Sequence, residues 1–251
     1  MSAPGVSVVL VTRDRPALLA DALRSVVAQT LPPCEVRLAD DGDVPAIESL
    51  PELPLLEFSA VHVRAGQPGR ARNLAAAGAR CEILAFLDDD DLWRPGHLAG
   101  LVAAFADPAV GFAWRDCEVM RERIAPDGAR EVLASTTIAR DWDDALMRSN
   151  DYLPPSGWGV RRELFERLGG FDESFAYSED WDFVLRAAAV TAPRRIPGVT
   201  VEVRLREHGN SSADMGPERL ACLARLAERH ALPSLEPRTF WEVAHAMGQA
   251  P

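Results

Sequence analysis

Apolar positions along the chain switch between two spacings, and the switches define the predicted elements. Ser7 to Thr12 is a β-branched apolar run, and the segment opened by Arg15-Pro16 carries Leu18, Leu19, Ala22, Leu23, Val26 and Val27 at helical spacing. This predicts a strand followed by a helix. Cys34 to Ala39 is again strand-like and stops at the turn signal Asp40-Asp41-Gly42. Val61 to Arg64 predicts a short strand and Arg70 to Ala79 a helix. Glu82 to Leu87, the most hydrophobic strand candidate, runs straight into Asp88-Asp89-Asp90-Asp91, after which Pro95 marks the first turn of another helix. Strands alternating with helices imply a mostly parallel sheet with covered faces, in which ligands gather beyond the carboxyl ends of the strands. The acidic loops fall at that edge.

After residue 108 the pattern loosens into mixed α and β. Val110 to Met120 and Arg130 to Thr136 predict strands about the turn Pro126-Asp127-Gly128, and Asp141 to Met147 a helix. Tyr152 to Val160 reads as loop and strand, Arg161 to Leu168 as a short helix ended by Gly169-Gly170, Asp180 to Val190 as an amphipathic helix, and Ile196 to Leu205 as a closing strand. The tail from Pro217 to Met247 predicts two helices split near Pro233, with Leu220, Leu223, Leu226 and Ala227 on one face. The expected organisation is a domain over 1–212, with a ligand-binding half (1–108) and a mixed half (109–212), followed by a helical tail (213–251).

Composition narrows the chemistry. All 27 basic residues counted as Lys or Arg are arginine. Schiff-base, pyridoxal phosphate and Walker A chemistries each need a lysine and are excluded. Arginine stays protonated and offers a planar fork for phosphate or carboxylate, so any catalytic base must be Asp, Glu, His or Cys. A net charge of -11 argues against a nucleic-acid partner. No run of 18 apolar residues occurs, and Met1 to Gly5 lacks the features of a signal peptide. The expectation is a cytoplasmic protein, with peripheral contact at the inner face of the membrane left open. The four scattered cysteines, Cys34, Cys81, Cys117 and Cys222, form no Cys-x-x-Cys pair and read as reduced, mostly buried residues.

Four consecutive aspartates after a buried strand repel one another unless something neutralises them. A divalent cation is one partner, because hard cations take oxygen ligands and magnesium needs only one or two carboxylates beside substrate phosphates. Asp88-x-Asp90 supplies two. A solvated acidic turn, with Asp91 capping the next helix, accounts for the run equally well. The spacing lacks the Gly and terminal Glu of an EF-hand. Phosphatases of the haloacid dehalogenase type also place Asp-x-Asp after an apolar strand. Here, however, Leu92 stands where that pattern has Thr or Val, and the lysine of that family is absent.

Taken in order, the motifs resemble the family 2 glycosyltransferases over residues 5–212. They are Ser7-Val-Val-Leu-Val-Thr12-Arg-Asp-Arg15-Pro16, Ser25-Val-Val-Ala-Gln-Thr30, Asp40-Asp41-Gly42, Ala71-Arg72-Asn73, Phe86-Leu-Asp-Asp-Asp-Asp91-Leu-Trp93, Gly169-Gly-Phe-Asp-Glu173 and Glu179-Asp180-Trp181. The resemblance implies the GT-A fold: a mostly parallel nucleotide-binding sheet flanked by helices, a mixed acceptor-side half and a short helical tail. It also implies inverting transfer of a single sugar from a nucleotide diphosphate sugar to a hydroxyl of a glycan, lipid-linked or small-molecule acceptor. Arg13-Asp14, Asp43 and the Pro-rich stretch from Val44 to Phe58 depart from the family pattern, and no Gln-x-x-Arg-Trp block of processive synthases is present.

By that resemblance Val11 and Thr12 lie against the nucleobase, Asp41 accepts a hydrogen bond from a pyrimidine ring nitrogen, and Asp40 supports the pocket. A uridine or thymidine diphosphate sugar is favoured. Asp88 faces the ribose or the metal, Asp89 lies on the nucleotide side, and Asp90 ligates manganese or magnesium with His208. Asp180, beside Glu179, is the implied base. The chemistry agrees with the implied role, since a carboxylate can take the acceptor proton while cations meet the departing diphosphate. Helix capping explains Glu179-Asp180 as well, and the two roles are compatible. Arg15, Arg70 and Arg72 lie on the expected ligand side, suited to phosphate. Trp158 and Trp181 are candidate faces for the acceptor. A catalytically silent nucleotide-sugar or glycan-binding module of the same fold is the alternative.

Overall fold

The structure is a computed structural model that describes residues 4–50, 57–125, 129–207 and 215–248. In the first half the order is β1 (Val6–Thr12), α1 (Pro16–Val27), β2 (Glu35–Asp40), β3 (Phe58–His62), α2 (Pro68–Ala76), β4 (Ile83–Asp88), β5 (Leu92–Trp93) and α3 (His97–Phe105). The second half adds β6 (Phe112–Ile124), β7 (Arg130–Ile138), α4 (Asp144–Met147), β8 (Trp158–Arg161), α5 (Arg162–Arg167), α6 (Glu179–Ala188) and β9 (Arg194–Arg206). Helices α7 (Pro217–His230) and α8 (Phe240–Met247) follow.

The strands form one sheet in the order β3-β2-β1-β4-β8-β6-β9-β5, with β7 pairing β6. Strands β1 to β4 are parallel, and β1 is flanked by β2 and β4 with Val11 opposite both Ala39 and Asp88. Val8, Leu10, Val36 and Ile83 to Leu87 are buried, as strands covered on both faces require. Beyond β4 the sheet becomes mixed, because β8 runs antiparallel to β4 and to β6, while β9 runs parallel to β6. The fold is thus α/β, with the acidic loops brought side by side at the carboxyl ends of β1, β2 and β4.

Most boundaries follow the sequence reading, and the differences have local causes. Strand β3 starts at Phe58 and ends at His62, because its register on β2 is set by Val36 opposite Phe58 and Asp40 opposite His62. Helix α3 begins at His97, since Gly96 has φ +91° and separates Pro95 from the helix. Strand β5 has only two residues, too few for any periodicity, and exists because Leu92 and Trp93 pair with Glu202 and Val201. Leu220 is 46% exposed and leaves the buried face that Leu223 and Leu226 share. Cys117 and Cys222 are buried, whereas Cys34 is exposed.

An aromatic cluster sits beneath α6. Trp158 stacks on Phe183 at 5.5 Å between ring centroids, and Phe86, Phe165 and Phe171 pack round the same pair. Each fully buried ring contributes about 1.5–3 kcal/mol by area, so β4, β8, α5 and α6 are locked into one arrangement.

Candidate active site

At the ends of β1 and β2 backbone N–H groups hold two aspartates in place. Asp40 is buried and its carboxylate accepts from Gly42 N at 3.0 Å and Ala46 N at 2.5 Å, tying the following loop in place. Asp41 points toward the loop after β3, accepting from Ala65 N at 2.5 Å and from Gly66 N at 3.0 and 3.1 Å. Gly66 takes φ +72°, a conformation that side chains resist. Thr12 is buried and donates its hydroxyl to Asp89 Oδ2 at 2.7 Å, joining the end of β1 to the acidic loop.

Each of the four aspartates has a different partner. Asp88 Oδ1 accepts from Arg72 Nη2 at 2.6 Å. Asp89 Oδ1 accepts from Arg15 Nη1 at 3.1 Å. Burial, then the neighbouring Asp90, pushes the Asp89 carboxyl up to about 7, against the pull of Arg15 and Thr12. Asp90 Oδ2 lies 3.1 Å from Arg15 Nη1 and 3.0 Å from Arg206 Nη1. Asp91 is buried, accepting from Ser156 Oγ at 2.6 Å and from Arg204 N at 3.1 Å, and burial holds its carboxyl well above the usual range. Asp91 is therefore an internal strut between β9 and the loop before β8, and not a helix cap.

The Glu179-Asp180 pair stands at the first turn of α6, next to Ser178 at φ +63°. A non-glycine residue in the left-handed region stores strain of order 1–3 kcal/mol, a common feature of functional sites. Arg72 reaches across from α2, with Nη1 2.6 Å from Glu179 Oε1. Gly69 permits that approach, because a Cβ there would meet Glu179 Cγ at 2.9 Å. Asn73 fixes the neighbouring loop by donating to Phe171 O and accepting from Phe171 N. Asp180 Oδ1 accepts from Trp181 N at 2.8 Å. Burial raises the Asp180 carboxyl above its ordinary value, while Arg72 and the Trp181 N–H pull it back and Asp88 adds to the rise. Glu179 is pushed up to about 7 by burial and by Asp180, against Arg72.

A cavity of about 240 Å³ is lined by Asp88, Asp90, Asp151, Asp180, Glu236 and Arg238, among others. One space thus joins the acidic loop to the carboxylate at the head of α6. Trp181 lines it, 5% exposed, with its indole N–H on Met147 O at 2.8 Å. Trp158 does not reach it. Its ring is 0% exposed within the aromatic cluster, so the expected acceptor face at Trp158 is replaced by a core role. Arg70 is exposed, 3.7 Å from Glu173, and outside the cavity lining.

The expected metal ligands are not gathered as a set among the described residues. His208 lies outside the described residues, and among those described no three His, Cys, Asp or Glu side chains gather as a ligand set. Asp88 and Asp90 instead face guanidinium groups, so the carboxylates present do not fit a resident dication.

A sequence profile described as Glycosyl transferase family 2 matches residues 7–169. The chain belongs to glycosyltransferase family 2. This family 2 enzyme is 32% identical over 243 residues to the uncharacterized glycosyltransferase YwdF of Bacillus subtilis (strain 168), covering 94% of this chain and 87% of that protein. It is 29% identical over 189 residues to the pre-mycofactocin glycosyltransferase of Mycobacterium tuberculosis (strain ATCC 25618 / H37Rv), covering 72% of this chain and 38% of that protein. Its fold matches the crystal structure of S. aureus TarS 1-349 in complex with UDP-GlcNAc, with a TM-score of 0.68 at 18% identity over 97% of this chain and 71% of that one.

Four residues of this candidate site were not singled out from the sequence: Asp151, Ser156, Arg204 and Arg206. Burial, then Asp180, raises the Asp151 carboxyl well above its ordinary value, and its Oδ1 is buried without a hydrogen-bond partner among the described residues. Arg204 and Arg206 alternate with Val203 and Leu205 along β9, and charge at the end of an otherwise apolar strand was the available signal. Ser156 had none, since it sits in a loop of no distinctive pattern. Among the described residues no helix is long and apolar enough to cross a membrane.

Proposed function

We propose that this enzyme transfers one sugar, with inversion, from a nucleotide diphosphate sugar to an acceptor hydroxyl, with Asp180 as the base. The observation that carries the reading is that Asp180 lines one cavity together with Asp88 and Asp90 of the acidic loop and with Asp151 and Arg238. A donor lying over the acidic loop would turn toward Asp180 the face of its anomeric carbon opposite the diphosphate, and the acceptor hydroxyl would enter on that same face, beside Asp180. The acceptor oxygen gives its proton to Asp180 and bonds to the anomeric carbon. The bond from that carbon to the diphosphate oxygen breaks, and its electron pair leaves with the nucleoside diphosphate. The Trp181 N–H orients Asp180, and Arg72 holds Glu179 and Asp88 beside it.

A uridine or thymidine donor is the reading that the family resemblance gives for Val11, Thr12, Asp40 and Asp41, and the UDP-GlcNAc complex of TarS supports uridine. The acceptor is a hydroxyl compound of glycan, lipid-linked or small-molecule type. The manganese or magnesium expected at Asp88, Asp90 and His208 is assigned no step. Calorimetric titration with UDP and dTDP, followed by consumption of UDP-glucose and UDP-GlcNAc, tests the reading. A wild-type chain that binds no nucleoside diphosphate and consumes no donor sinks it.

A further inference from the structure

We propose that Arg15, Arg204 and Arg206 bind the donor's diphosphate directly, in place of a resident divalent cation. This deepens the transferase reading above and rests on it. The three side chains come from the loop after β1 and from the end of β9, and they converge on one aspartate. Arg15 and Arg206 both face Asp90 Oδ2, at 3.1 and 3.0 Å, and Arg204 Nε donates to the Asp90 carbonyl at 2.6 Å.

The pairing of charges decides which kind of ligand suits this place. Arg15 already pairs with Asp89 and Asp90 and Arg206 with Asp90, Arg72 is shared between Asp88 and Glu179, and Arg204 adds its guanidinium at the Asp90 carbonyl. A hard dication needs an excess of anionic oxygen, and here it would enter among guanidinium groups that already hold the oxygens it requires. An anion meets the opposite situation. Arg204 is 4% exposed and lines the cavity, and its Nη2 is buried with no hydrogen-bond partner among the described residues. A buried guanidinium N–H without an acceptor is costly, and a phosphate oxygen would satisfy it with a charge-assisted bond. Arg15 is the most accessible of the three, with 37% of its side chain exposed, so the Asp90 cluster is reachable from solvent. On donor binding, phosphate oxygens take over the guanidinium groups of Arg15 and Arg206 from Asp90, one anion replacing another.

The two accounts predict opposite signs at Asp90. If Asp90 is a metal ligand, Asp90→Asn abolishes nucleotide binding. If Asp90 competes with phosphate for the arginines, the same change leaves binding in chelator intact or tightens it. The experiment is calorimetric titration of the full chain with UDP and UMP, with dTDP and GDP in parallel, in excess EDTA and again in manganese. The expected result is UDP binding in EDTA within about threefold of that in manganese and UDP tighter than UMP. Arg206→Met and Arg15→Met are each expected to weaken UDP at least tenfold in EDTA and to narrow its advantage over UMP, a readout that a purely structural role would not move. Circular dichroism shows which variants fold, and Arg15→Met serves if Arg206→Met does not. Binding that requires manganese and vanishes in Asp90→Asn overturns the inference and leaves the transferase reading standing. Arginine variants that fold and keep wild-type affinity for UDP also overturn it. A wild-type chain that binds none of the nucleotides in either condition overturns both.

Discussion

Arg72 Nη1 lies 2.6 Å from Glu179 Oε1, and both side chains are about 6% exposed. Residues 107 positions apart are thereby joined at the head of α6. The other guanidinium nitrogen holds Asp88, so one arginine spans the acidic loop and the proposed base pair. Burial pulls the Arg72 pKa down, but Asp88 and Glu179 more than compensate and it stays charged. Removing one partner of a buried ion pair strands the others, at about 3–5 kcal/mol. Arg72→Met is therefore expected to lower unfolding free energy by about that amount in urea titration. Adding Glu179→Gln should recover part of the loss, a coupling that a double-mutant cycle reads directly.

Asp180→Asn should keep UDP affinity within about twofold while transfer falls by about 10²–10⁴-fold, the range for loss of a general base. Competitive titration with UDP and turnover of the donor sugar separate the two effects. An unchanged rate removes Asp180 from the mechanism.

The pH dependence carries a definite sign. A base works deprotonated, and burial raises the Asp180 carboxyl above the ordinary aspartate value, so activity should rise with pH along a limb lying above about 3.9. Fitting kcat/KM against pH locates that limb. An inflection at or below the ordinary value contradicts the assignment.

Stability should move the other way. Glu179 is pushed up to about 7, above its unfolded value, so its contribution is fully present below the unfolded pKa and is lost as pH rises through about 7. In the wild type the folded state holds more protons over that window. The urea midpoint should therefore slope downward from mildly acid to neutral pH, and Glu179→Gln should flatten the slope. Parallel wild-type and variant curves would place the linkage elsewhere.

Two glycines give a steric contrast. A Cβ at Gly69 would meet Glu179 Cγ at 2.9 Å and Phe171 Cβ at 3.3 Å, both within packed structure. Gly69→Ala should cost about 1–3 kcal/mol, the range for overpacking, and disturb donor turnover through the Arg72 tie. At Gly78 the nearest atoms belong to the end of the Arg37 guanidinium, which can swing aside. Gly78→Ala should lower the melting temperature less than Gly69→Ala, and thermal melts of the two variants rank them.

The sequence by itself determined the parallel half of the sheet and the placing of its acidic loops, because apolar period and turn chemistry are local and each strand announces its own end. The order of motifs pointed to the family before any contact was known, and the absence of lysine assigned every fixed cation near the site to arginine. Only the tertiary structure decided how those charges pair. Arg72 meets Glu179, Arg204 and Arg206 reach the loop after β4, and Asp151 comes to share a cavity with Asp180, all across separations no periodicity encodes. It also moved Trp158 from a candidate ligand face into the core and gave each aspartate of one run a different environment. Local pattern fixes where a strand stops, whereas the partner of a side chain depends on which distant segments the sheet order brings to the same edge.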